Sequence, residues 1–393
     1  MKKTLLSLVL GTCTSALIAQ VSFDTQTSGT IQNLKGSTIK PGSTTVWAVG
    51  AGGTILNTTD AGNTWTSQSS GVTATLEDVM WGASGNGGLE FVWACGSSAT
   101  ALSTMDAGAT WAVQSQGAPY DAFTINFQGI SNGIMMGDQF YARSSNGGNM
   151  YTPTVTNLTY LAVDFIGSTG WVTGNTGFIK KTTDGGATWT DQTSGTNQAL
   201  HGIDFINANE GWACGLAGTI LHTTDGGTTW TAQTSNTANL LSDIKFADNQ
   251  KGWACGYTGT ILKTTNGGVT WTPYFSGSTG TTAWLQSISL FNADEGVAVG
   301  DVGTIIKFID NGSSANIDET ELNKLAIYPN PASDLITLKT QGTIEKVQIF
   351  NVMGDLVQTE QSNSFSIREL NTGIYIVDVR TSVGSYRTRI SKK

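Results

Sequence analysis

Four aspartates recur at one point of a repeated phrase. Asp60, Asp106, Asp184 and Asp225 each follow a Thr by two residues and precede another Thr by four, with Trp65, Trp111, Trp189 and Trp230 immediately after. Carboxylates at fixed places could serve as acids or bases, but Asn146 and Asn266 occupy the same point in two further copies. An amide cannot exchange a proton in that role, whereas it can still cap a turn by hydrogen bonding. The pattern therefore reads as turn chemistry, with Asp bonding nearby backbone N–H groups and the following Gly accepting positive φ.

The elements around these turns follow from the phrase GWACGLAGTILHTTDGGTTW, residues 211 to 230, which returns as GWACGYTGTILKTTNGGVTW at 252 to 271. GWACG and GTILHTT are short β-branched or aromatic runs bounded by Gly, so they predict a hairpin with its tip at Leu216-Ala217. A strand precedes each phrase (LEDVMW, YLAVDF, LHGIDF, LSDIKF, LQSISL), and the Trp opens another. The aromatic residues after the turns, Trp65, Trp111, Tyr151, Trp189, Trp230 and Trp271, are spaced by 46, 40, 38, 41 and 41 residues. Four strands at this period predict a β-propeller.

Thr182, Asp184, Gly186, Thr188 and Trp189 match the pattern of the Asp-box, or BNR, repeat. With GWACG and GTIL, the repeats resemble the propellers of the photosystem II assembly and stability factor family. The resemblance covers residues 20–312 and implies a fold more than a ligand. Seven blades are expected: residues 285 to 309 supply three strands with no box Trp after them, and residues 22 to 28 align with a fourth strand, closing the last blade. Blade 3 departs furthest from the repeat, with NGIMMGDQFYARSSNGGNMY in place of the motif.

Residues 1–19 read as a secretory signal peptide: Lys2-Lys3, an apolar run and a small-residue end, with cleavage before Gln20. Residues 313–324 read as a polar linker. Residues 325–393 alternate as strands at a size that predicts a small Ig-like β-sandwich. In them YPNP (Tyr328, Pro329, Asn330, Pro331), IFNVMGDLV with Gly354, LNTGIYIV with Gly373, and the terminus RISKK with Lys392 resemble, in order, the type A sorting domain of type IX secretion. That resemblance implies contact with the secretion machinery and passage through the periplasm to the outer-membrane surface or the medium of a gram-negative bacterium. It also implies removal of the domain, with attachment to surface lipopolysaccharide.

Composition narrows the function. Residues 20–312 carry 20 acidic and 9 basic side chains, a net charge of −11. Nucleic acid is not an expected partner, since phosphate binding needs clustered Lys and Arg. Sialidases share the Asp-box blade but need an arginine cluster, and Arg143 is the single arginine of this region. With two histidines, and with Cys95, Cys214 and Cys255 at one equivalent place in different blades, neither a metal site nor a cofactor is expected.

The loops between second and third strands share a face around the channel with those joining one blade to the next. There the candidate binding residues are His201, Asp243, Tyr257, Trp284 and Asp138, with Tyr120 and Leu216 nearby. Aromatics among carboxylates suit a glycan or a protein contact, so a non-enzymatic binding or adhesion module is expected. The alternative is a glycoside hydrolase using two carboxylates among Glu77, Asp78, Asp138, Asp243 and Asp301. A surface-layer component with no dedicated ligand is a third possibility.

Overall fold

The computed structural model describes residues 21–84, 89–98, 100–114, 120–149, 151–274, 276–310, 325–340, 343–351, 356–382 and 384–393. The segments read as signal peptide (1–19) and linker (313–324), and Gly354, lie outside the described residues. The chain divides into two compact units, Met1–Gly312 and Ser313–Lys393.

The first unit is a seven-bladed β-propeller. Blade 5 shows the plan: Leu200–Phe205 innermost, then Gly211–Gly215, Ile220–Thr223 and Thr231–Gln233, all antiparallel. Blades 1, 2 and 6 begin at Leu34, Leu76 and Leu241 and repeat it. Blades 3 and 4 share one long strand, Thr152–Ile166, which is outermost in blade 3 and innermost in blade 4. Blade 7 combines Leu285–Asn292, Glu295–Gly300 and Ile305–Asp310 with Val21–Gln26 from the start of the chain, so its fourth strand is shorter and earlier than the 22 to 28 expected. This pairing covers the edge that an open array would present.

Two repeated contacts explain the phrase. The Gly ending each second strand touches the backbone entering the innermost strand: a Cβ on Gly215 would lie 2.0 Å from the Ala199 carbonyl oxygen, and one on Gly256 2.0 Å from that of Leu240. The Trp of GWACG is buried and stacks on the aromatic residue ending the next blade's innermost strand, Trp171 on Phe205 at 3.5 Å and Trp212 on Phe246 at 3.5 Å. Its indole N–H donates to the next blade's turn, Trp171 to the Gly226 carbonyl at 2.9 Å and Trp212 to that of Gly267 at 3.2 Å. Such stacking adds about 0.5–1.5 kcal/mol per pair beyond burial. The tryptophans thus join blades as well as filling them.

The second unit is a small β domain of two sheets, one of three strands and one of four. Its core holds Ile336, Val347, Ile349, Val377 and Ile390. Asn330 accepts from the Ser391 N–H at 2.9 Å and donates to the Arg389 carbonyl at 3.0 Å, while Gly373 pairs with Lys392 in the ladder. YPNP, LNTGIYIV and the basic terminus are therefore neighbours in space.

Candidate functional site

The Asp boxes are turn caps. In blade 1 the Asp60 carboxylate accepts from the Thr64 N–H at 2.9 Å, the Thr64 hydroxyl at 2.7 Å and the Thr58 hydroxyl at 2.7 Å. Asp106, Asp184 and Asp225 repeat this arrangement. The bonds to Thr64, then Thr58, hold Asp60 down to about 2, and equivalent bonds hold Asp106 to about 2. Asn266 keeps the acceptor role toward the Thr270 N–H at 2.9 Å, and its amide donates to the Thr270 hydroxyl instead.

Inside the ring, the innermost strands bound a cavity of about 420 Å³. Its aspartates act as inter-blade bridges. Asp78 accepts from Val79 N–H of its own strand and from Ile125 N–H of the next blade at 3.0 Å; Asp164 does the same with Phe165 and Phe205. Asp204 accepts from Phe246 N–H at 2.7 Å and pairs with Lys245 at 3.3 Å. Burial pushes Asp78 up to about 6 against the pull of these N–H groups, and raises Asp164 and Asp204 as well. Burial alone would lower the Lys245 pKa, but Asp204, Asp243 and Asp164 outweigh it and hold it above its ordinary value. Its side chain keeps 37% of its surface open to the lumen, so the cluster is deep but wet.

This corrects the expectation for Asp243. It is not a loop-face group: its carboxylate accepts from Ile244 N–H, Ile288 N–H at 3.0 Å and the Ser287 hydroxyl at 3.2 Å, joining blade 6 to blade 7. The strand bulges between Leu241 and Asp243, so alternation counted from the buried Leu241 does not give the direction of Asp243.

The other candidates lie at one end of the channel. Tyr257 is half exposed on the turn after its second strand and meets Trp284 edge to face, with ring centroids 5.7 Å apart. The Trp284 indole donates to the Ser242 hydroxyl at 2.6 Å, and the Lys35 ammonium lies 5.7 Å from its ring centroid. His201 lines the cavity with Glu77 and Gln286; burial lowers the His201 pKa and raises that of Glu77. Asp138 occupies the turn position of blade 3, tied to the Thr159 hydroxyl at 2.9 Å. Leu216, Val302 and Ile31 are exposed on loops of blades 5, 7 and the blade 7–1 connection. Sequence reasoning missed Lys35, the cation over Trp284; its place one residue after the first buried Leu is the same as that of His201 and Ser242.

Residues 142–235 and 229–325 match the family described as photosynthesis system II assembly factor YCF48, and residues 326–393 match the secretion system C-terminal sorting domain. The chain is a propeller of this repeat type with a sorting domain. Two solved structures of YCF48 share the fold. One, from Cyanidioschyzon merolae, is 18% identical with a TM-score of 0.62, over 74% of this chain and 100% of that one. The other, bound to D1 peptide, is 18% identical with a TM-score of 0.61, over 73% and 96%. An ulvan lyase of Nonlabens ulvanivorans is 31% identical over 85 residues, which are 20% of this chain and 16% of that protein. The sorting domain makes this an exported protein, destined for the outer-membrane surface or the medium through the type IX machinery.

Proposed function

We propose that the propeller is a non-enzymatic binding module whose loop face grips a protein segment at the channel mouth. The observation that carries this reading is the Tyr257–Trp284 pair beside the cavity, with Lys35 over the indole. An edge-to-face pair of an exposed Tyr and a half-buried Trp offers a rigid apolar anchor, and the His201, Glu77 and Gln286 groups beside it offer polar fixing points. The YCF48 structure with bound peptide supports a peptide ligand by analogy of fold.

Hydrolysis is disfavoured by how the carboxylates are used. A glycosidase needs an acid and a partner carboxylate facing each other across the substrate. Asp78, Asp164 and Asp243 each accept backbone N–H groups from two blades, which leaves Glu77, among the described residues lining the cavity, as the carboxylate without a hydrogen bond. We also infer that the exported propeller is released from its sorting domain and attached to surface lipopolysaccharide.

The test is a peptide array and a glycan array probed with the exported protein and with Tyr257→Ala/Trp284→Ala. Peptide binding that falls at least tenfold in the double variant, at an unchanged melting temperature, supports the reading. Sugar release from a bound glycan overturns it.

A further inference from the structure

We propose a second binding site, for an acidic saccharide, in the cleft between blades 3 and 4 at the end of the propeller opposite the channel mouth described above. It is separate from the loop-face reading and shares no residue with it. The cleft has a volume of about 570 Å³ and is lined by Gln128, Asn132, Tyr141, Arg143, Thr154 and Ser168, beside the Asp184 turn.

Three contacts that tie other blades together are missing at this junction. First, the second-strand Trp that stacks across to the next blade is replaced by Ile134, paired with Asn126 as Trp212 is with Asp204. Second, the residue three before the box Asp or Asn, a place Asp310 holds in blade 7, reaches the next blade in three other cases. Lys181 donates to the Gly226 carbonyl at 2.8 Å, Lys263 pairs with Asp310, and Lys307 donates to Asn63 at 3.4 Å. Arg143 holds that place in blade 3, is exposed, and makes no hydrogen bond or ion pair among the described residues. Third, Gln68 and Gln233 bridge to the next blade, each donating to a turn carbonyl and accepting from Trp111 or Trp271. Thr154 stands in the equivalent place in blade 3, and the Trp189 indole N–H is buried without a partner; the Trp230 indole is likewise unpartnered, Gln192 of blade 4 donating to the Asp191 carbonyl instead.

The loss of an indole and a glutamine makes the space, and the guanidinium left free supplies its charge. A planar fork with five donors suits a carboxylate bound through two oxygens. Hydroxyl and amide side chains surround that cation, with one aromatic ring in Tyr141 and the Asp184 carboxylate, engaged by Thr182 and Thr188, at the rim; this lining matches a ligand that carries hydroxyls around a single carboxylate. A chain region of net charge −11 repels anions in general. A single unpaired arginine in a walled polar cleft therefore selects one carboxylate in place of a polyanionic surface.

The experiment titrates the exported protein by calorimetry with two glucan oligosaccharides that each carry one uronate, galacturonate or glucuronate, and with a neutral glucan of equal length, and adds a Glu-rich peptide as a separate arm. One of the two uronates is expected to bind and the glucan to bind at least tenfold more weakly. Arg143→Ala should weaken uronate binding at least tenfold and Arg143→Lys less. Ile134→Trp, which restores the residue of the regular blades, should close the cleft and abolish it. Melting temperatures check that each variant folds; Arg143 is exposed, so its variants keep the test decisive if Ile134→Trp does not fold. Tyr257→Ala/Trp284→Ala should leave uronate binding unchanged. No binding of either uronate, equal binding by Arg143→Ala, or binding of the acidic peptide alone would overturn the proposal.

Discussion

Asn266 shows what an Asp box requires: its oxygen accepts from the Thr270 N–H at 2.9 Å, as the Asp225 carboxylate accepts from Thr229 at 2.8 Å. Asp225→Asn should therefore melt close to the parent, while Asp225→Ala should melt several degrees lower; differential scanning calorimetry distinguishes them. The carboxylates also divide into two groups by pH. Asp60 and Asp106 sit at about 2 in the fold, below their ordinary value near 4, so their contribution is present above pH ~4 and is lost as the pH falls toward 2. Asp78 is raised to about 6, so its contribution is present below pH ~4 and is lost as the pH rises through 6. The melting temperature should accordingly peak near pH 4, fall toward pH 2, and fall on the other side as the pH rises to about 6. A melting temperature that climbs steadily from pH 5 to 8 would contradict this assignment. Residue type alone made the boxes legible, because Asn substitution betrays a cap. It could not separate a loop-face aspartate from a bridging one, since Asp243 takes its role from a strand in the neighbouring blade.

Blade 7 lacks a regular box, and its third strand runs on to Asp310, which stands where the box Asp falls in other blades. There it pairs with Lys263 of blade 6, and the two side chains are 3% and 9% exposed. Lys263→Met should destabilise the propeller by about 3–5 kcal/mol by leaving a buried carboxylate without this cation, and Lys263→Met/Asp310→Leu should recover most of that loss; chemical denaturation of the two variants measures it. Gly215→Ala tests the close approach of second strand to blade entry. With its Cβ 2.0 Å from a carbonyl oxygen, it should cost about 3 kcal/mol. Strand order was readable from the alternation of Gly-bounded runs. The long strand Thr152–Ile166 was not, because its two halves belong to different blades and are joined through a register irregularity between Val155 and Thr159.

At the scale of the whole molecule, the two units carry separate instructions. Deleting residues 326–393 should retain the chain within the outer membrane, and surface labelling of intact cells checks it. Period and composition made the propeller and the sorting domain legible; the cleft between blades 3 and 4 was not, because it arises from contacts absent at Ile134, Arg143 and Thr154 together, each an unremarkable residue alone. The pairing of Val21 with Asp310 has a temporal meaning as well. The first described strand of the propeller has its partner almost at the propeller's end. Closing so long a loop is the slowest kind of contact to make. The ring is therefore completed only after Asp310 has crossed the inner membrane, and a chain arrested earlier in transit has no closed propeller to pass on.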